Sequence, residues 1–206
     1  MKKIILLATA VMVFSAAPKA QYTTADVFKT EYITFYGLDF SNIRLIGTDG
    51  FSNPYVIKTQ LFDSWNNLFL SESDKYDIAK TFYKSGVKTS LDLVSERNTM
   101  PDPLELVINK DYSFGEDKVR AIIREYDTGV DEGIGLVFIM ESFDKRAEMG
   151  YFWVTFFDQS NNEVLFAKHV GGKAGGFGIR NYWAKSYYNV MKDIGKKLWN
   201  EWSKAY

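Results

Sequence analysis

The chain has no cysteine and a single histidine, His169. Without cysteine there are no disulfides, no thiolate metal site and no thiol nucleophile. One histidine cannot build a usual zinc site, and a Ser-His-Asp triad would have to use His169. No Gly-x-Ser-x-Gly elbow is present to support such a triad. Also missing is a long basic run. The formal net charge is −1, and it becomes more negative once Lys2, Lys3 and Lys19 are set aside with the leader described next. Nucleic acid, which is bound through phosphate neutralisation, is therefore not an expected partner. No cofactor is expected either.

Residues 1–20 have the layout of a secretory signal peptide. Lys2 and Lys3 precede an apolar run from Ile4 to Ala17, broken only by Thr9 and Ser15, and small residues follow at Ala16, Ala17 and Ala20. The run is too short for a bilayer span, which takes about 20 residues, so no transmembrane segment is expected. With no cysteine after it, a lipid anchor is not expected. Cutting after Ala20 puts Pro18 where a small residue is preferred, and leaves 21–206 as a single globular α/β domain. A disulfide-free exported chain of this size reads as a periplasmic or secreted bacterial protein. Its core has to hold without cross-links, and a 17% aromatic content suits that need.

Along the chain, Tyr32 to Ile46 reads as a strand, a bend and a second extended piece. Leu61, Trp65, Leu68 and Phe69, then Ile78 and Phe82, fall at helical spacing. Val87 to Val94 alternates as a half-buried strand, and Leu104 to Ile108 as another. Ser113 and Glu116 form an apparent capping box for a helix with Val119, Ile122, Ile123 and Tyr126 on one face. Leu136–Met140, Tyr151–Phe157 and Val164–Val170 read as an antiparallel meander ending in a hairpin. If Phe157 pairs with Val164 in that hairpin, Phe152 lies opposite His169. From Tyr182 to Trp202 the stripe Trp183, Tyr187, Val190, Met191, Ile194, Leu198 and Trp202 closes the fold, with Lys185, Lys192 and Lys196 largely off it. The expected architecture is α/β (α+β): a mixed, mostly antiparallel central sheet with a C-terminal hairpin and a closing amphipathic helix.

The most suggestive motif is Gly171, Gly172, Lys173, Ala174, Gly175, Gly176, Phe177 and Gly178, read as a loop between a strand and the last helix. Such a loop exposes amides to an anion, and Lys173 and Arg180 flank it. The spacing fits neither a P-loop nor a dinucleotide fingerprint, so a structural crossover of close-packed glycines competes with anion binding. Ser142 and Lys145 match a short serine–lysine pattern whose partner motifs are missing. Glu141, Asp144, Lys145, Arg146 and Glu148 read as a solvated loop between strands. Asp127, Asp131 and Glu132 lack the calcium-loop pattern.

The segments Gly135–Ile139, Trp153–Asp158 and Gly172–Trp183, together with Ser95–Asn98, resemble an uncharacterised group of exported proteins from Bacteroidetes-type Gram-negative bacteria. The resemblance implies export and no assigned activity. In element order alone the chain is similar to envelope domains such as the amino-terminal domain of TolB and the curli secretion lipoprotein. The function expected is that of a non-enzymatic envelope protein binding a protein or a small ligand, with an envelope protein or a small anionic ligand as partner. Anion binding at Gly171–Gly178 and an exported carboxylate-dependent hydrolase stay open as alternatives.

Overall fold

Among the described residues seven strands form one sheet, and most of their pairings are parallel. The computed structural model describes residues 22–129 and 132–206, so the leader and Asp131 lie outside the described residues. In chain order the elements used below are α1 (Thr24–Lys29), β1 (Tyr32–Asp39), β2 (Arg44–Ile46), α2 (Ile78–Thr81), β3 (Gly86–Thr89), α3 (Asp92–Arg97), β4 (Val107–Ile108), α4 (Glu116–Arg124), β5 (Ile134–Asp144), β6 (Met149–Asp158), β7 (Glu163–Lys173) and α5 (Ile179–Asp193). A helical run over 54–66, π-helical at Ile57–Leu61, lies between β2 and α2. A second π-helical segment, Ile194–Leu198, follows α5.

The expectation of a mostly antiparallel sheet is wrong. β1 pairs in parallel with β3 and with β5, and β2 pairs in parallel with β4 and with β5; only β5–β6 and β6–β7 are antiparallel. β6 occupies one edge of β5, so β1 and β2 lie end to end along the other. The reason is connectivity. Helical segments separate β1 from β3 and β3 from β5, and a crossover of that length returns the chain in the same direction. The meander itself is present in β5–β7.

Helices cover both faces. On one, Phe35, Leu38, Phe138, Phe143, Phe152 and Phe156 pack under the 54–66 run, α2, α5 and the segment after it. Trp183 of α5 stacks on Phe143 at 4.7 Å and on Phe51 at 5.2 Å. On the other face Tyr36, Val137, Ile139 and Phe157 pack under Val94 of α3 and Val119, Ile122 and Ile123 of α4. Among the described residues no helix is long and apolar enough to cross a membrane.

Several local expectations change. α4 starts at Glu116 with Gly115 as its cap, not Ser113, because the Phe114 amide is tied to the Glu141 carboxylate and holds the chain outside the helix. β3 ends at Thr89 and α3 begins at Asp92. Residues Pro103–Leu106 form a helical turn rather than a strand, since Asp102 caps it and proline sits at its first position.

One buried cation gives a pH signature. Lys84 Nζ donates to the Val27 and Thr30 carbonyls at 2.7 and 2.9 Å and lies 5.0 Å from the Trp199 ring. Burial pushes its pKa down from 10.5 to about 8. Between those values the unfolded chain keeps a proton that the folded chain has lost, so stability from this group rises with pH across the window. Relative to Lys84→Met, wild-type unfolding free energy should rise by on the order of 2 kcal/mol between about pH 7.5 and 10. Urea titrations of both proteins at each pH would show it, and a flat difference would mean Lys84 titrates as an exposed lysine.

Candidate functional site

The face covered by α3 and α4 is left open at the far end of β5, and His169 stands there. The opening forms a cleft of about 590 Å³ lined by Tyr112, Glu141, Ser142, Asp144, Tyr151 and His169, with Ile46 and residues 110–111 and 113. His169 lies on β7 opposite Trp153 rather than Phe152. The expected register holds at Phe157–Val164 and then slips by one, because an extra residue bulges out of β7 between Val164 and Phe166.

A second bulge builds the site. Between Met140 and Ser142 the β5–β6 register shifts. Met140 and Phe143 both enter the core of the opposite face, so Glu141 and Ser142 between them turn toward the cleft. Glu141, expected in a solvated loop, is 2% exposed. Burying a carboxylate is costly unless its oxygens are satisfied. Here Oε1 lies 3.0 Å from His169 Nε2, and Oε2 accepts from the Phe114 amide at 3.0 Å.

A carboxylate only accepts, so His169 donates from Nε2, and in the neutral ring Nδ1 is the acceptor nitrogen. The side chain of His169 is 40% exposed, so the ring reaches solvent while its anchor does not. Aromatic walls flank it. The Tyr151 ring is nearly parallel to the imidazole, 10° between planes at 6.0 Å, and Trp153 tilts against it at 5.1 Å. Tyr112 donates to the Asn42 carbonyl at 3.0 Å, and burial pushes its hydroxyl pKa up. At the rim Arg146 joins Asp111 and Asp144. Burial opposes ionisation of Asp144, but hydrogen bonds from Arg146 and the amides of Arg146 and Ala147 outweigh it and hold the carboxyl below its usual range.

The glycine-rich run does not form one loop. Gly171, Gly172 and Lys173 complete β7, and the two glycines serve opposite faces. Gly171 pairs with Tyr151, and a Cβ there would come within 2.8 Å of the Tyr151 ring. Gly172 lies against α5, where a Cβ would meet the Ser186 carbonyl oxygen at 2.0 Å. Gly175, Gly176 and Gly178 form the short exposed link into α5, with positive φ at Gly176 and Gly178. Lys173 is exposed. Arg180 instead donates to Ser64 Oγ at 2.8 Å and lies 3.7 Å from Glu72. Of the run, Gly171 is the residue that lies against Tyr151, a wall of the His169 cleft. No group of three or more metal-ligating side chains occurs among the described residues.

Sequence inspection singles out His169 but not Glu141. The available signal is the three-residue step from Met140 to Phe143, which breaks strict alternation and marks the bulge. No family model and no curated protein matches the chain. Among solved structures, the C-terminal domain of LpoB from Salmonella enterica is similar at 8% identity over 73% of this chain and 92% of that one, with a TM-score of 0.31. At that level the likeness carries no argument about this chain.

Proposed function

We propose that the protein is an exported, non-enzymatic binding protein of the cell envelope and that the His169 cleft holds its ligand. The ligand is a small polar molecule that offers a hydrogen-bond donor to His169 Nδ1 and a flat face to Tyr151. One observation carries the reading: a buried Glu141, fixed by a backbone amide, orients an exposed imidazole between aromatic walls. Cavities of this size with aromatic walls and a few oriented polar groups are what small-molecule sites are made of. A serine-hydrolase reading has less to work with, because among the described residues no hydroxyl hydrogen-bonds the imidazole. Export rests on the signal-type leader.

Because His169 is the only histidine, ¹⁵N-histidine labelling gives one imidazole signature that reports on this cleft alone. Sugars, amino acids and short peptides would be titrated against it. One chemical class should shift the signature saturably, with affinity reduced about tenfold or more in Tyr151→Leu. An imidazole indifferent to the whole panel would remove the reading. So would His169-dependent turnover of chromogenic esters or glycosides.

A further inference from the structure

The lysines off the apolar stripe of the closing helix do not simply face water. Lys192 of α5 and Lys196 of the π-helical segment look across a cleft of about 390 Å³ at Lys75 and Lys80, with Tyr188, Tyr83 and Met191 between them. The ring of Tyr188 has three ammonium groups around it: Lys185 at 4.8 Å, Lys75 at 5.5 Å and Lys192 at 5.6 Å from its centroid.

Positive charge is under-compensated here. Glu72 pairs with Lys75 at 3.1 Å but is shared with Arg180 at 3.7 Å. Asp77, one of two carboxylates set against four lysines in the lining, caps α2 by accepting from the Lys80 amide at 2.8 Å. Asp74 is the other carboxylate of the lining. The lysine ion pairs found among the described residues are those of Lys75, Lys145 and Lys197, so Lys80, Lys185, Lys192 and Lys196 have none. Like charges gathered this closely repel one another unless an anion joins them.

The walls are fixed by backbone. Tyr83 donates to the Gly195 carbonyl at 2.6 Å. The π-helical segment packs against α2 at Gly195, where an added Cβ would meet the Thr81 backbone at an ordinary contact distance of 3.7 Å. The cleft is thus a gap between packed elements rather than a chance gathering of side chains.

We propose that this cleft binds a phosphate-bearing ligand, with its phosphate among Lys80, Lys192 and Lys196 and its remaining part against Tyr188 and Met191. The choice of phosphate follows from the cations. All are lysines, compact point charges suited to a multiply charged tetrahedral group, whereas planar carboxylates are best gripped by the two-pronged guanidinium that the cleft lacks. The site is separate from the His169 cleft and stands without it.

The test titrates the protein calorimetrically with inorganic pyrophosphate and with citrate. In parallel, its sedimentation is measured with phosphatidylcholine vesicles, alone or mixed with phosphatidylglycerol. Two variants are compared. Lys192→Gln/Lys196→Gln empties one wall, and Lys197→Gln removes a charge from the same segment, where Lys197 faces Glu201 at 4.0 Å outside the cleft. The double variant should weaken pyrophosphate binding about tenfold or more and the control less than about twofold. Cleft-dependent binding to the phosphatidylglycerol vesicles without pyrophosphate binding would support the same chemistry with a lipid headgroup as its source. Three results would overturn the proposal: no saturable binding to pyrophosphate or to the phosphatidylglycerol vesicles, citrate binding as tightly as pyrophosphate, or the same weakening per charge removed in both variants, which would report net charge alone.

Discussion

Replacing Arg97 by methionine is expected to lower the unfolding free energy by about 3–5 kcal/mol, because it strands a buried carboxylate. Asp39 ends β1 with no exposed surface. Its Oδ2 accepts from Arg97 Nε at 3.0 Å and from Tyr126 Oη at 2.7 Å, and its Oδ1 accepts from the Ser41 amide at 2.7 Å. The guanidinium also lies over the Tyr126 ring at 4.9 Å. Burial first, and then the Asp39 carboxylate, push the Tyr126 hydroxyl well above its ordinary pKa, so it stays a donor and carries no charge. Arg97 is therefore the only buried cation facing Asp39 among the described residues. Folded domains retain about 5–15 kcal/mol in all, so the loss would be a large share of the total. Glu125, the second partner, is 60% exposed at its side chain, and Glu125→Gln should cost less than about 1 kcal/mol. Adding Asp39→Asn to Arg97→Met removes the stranded charge and should recover much of the loss. Urea unfolding followed by tryptophan fluorescence checks all three, and an Arg97→Met variant within about 1 kcal/mol of wild type would mean the carboxylate finds water or a proton instead.

The contrast between what sequence inspection shows and what it hides has a physical cause. β5, β6 and β7 are long runs with buried residues on one or both faces, and such runs announce themselves. β2 and β4 have three and two residues, too few for any period, and their parallel partners are set by crossovers that local patterns do not encode. Ser95–Asn98 draws notice only through a resemblance. Its roles appear once α3 is seen to bring Arg97 to Asp39 and Asn98 to the Phe40 amide at 2.6 Å. The two bulges matter most for the site. One residue at Leu165 decides that His169 sits beside Trp153, and one at Glu141 turns an apparent loop acid into the buried anchor of the imidazole. The lysine stripe is visible on α5, but its opposite wall comes from Lys75 and Lys80, more than a hundred residues earlier in the chain.

The glycines of β7 yield the second large effect, and they do so selectively. A Cβ on Gly172 would lie 2.0 Å from the Ser186 carbonyl oxygen and 2.8 Å from its carbonyl carbon. Both are backbone atoms within α5, so the helix would have to lift from the strand and loosen the stack of Trp183 on Phe143. Gly172→Ala should cost about 3 kcal/mol, the upper end for an overpacked core. At Gly171 the obstacle is the Tyr151 ring, a side chain able to swing, so Gly171→Ala should cost about 1 kcal/mol and show mainly as a moved His169 signature. At Gly175 nothing lies within 4 Å of an added Cβ, and Gly175→Ala should change stability by no more than about 0.5 kcal/mol. Thermal and urea unfolding of the three single variants would rank them. That order would assign Gly172 to helix docking and Gly171 to the shape of the cleft. A tolerated Gly172→Ala would instead show that α5 is not seated on β7 as described, and the closing layer of the fold would need to be redrawn.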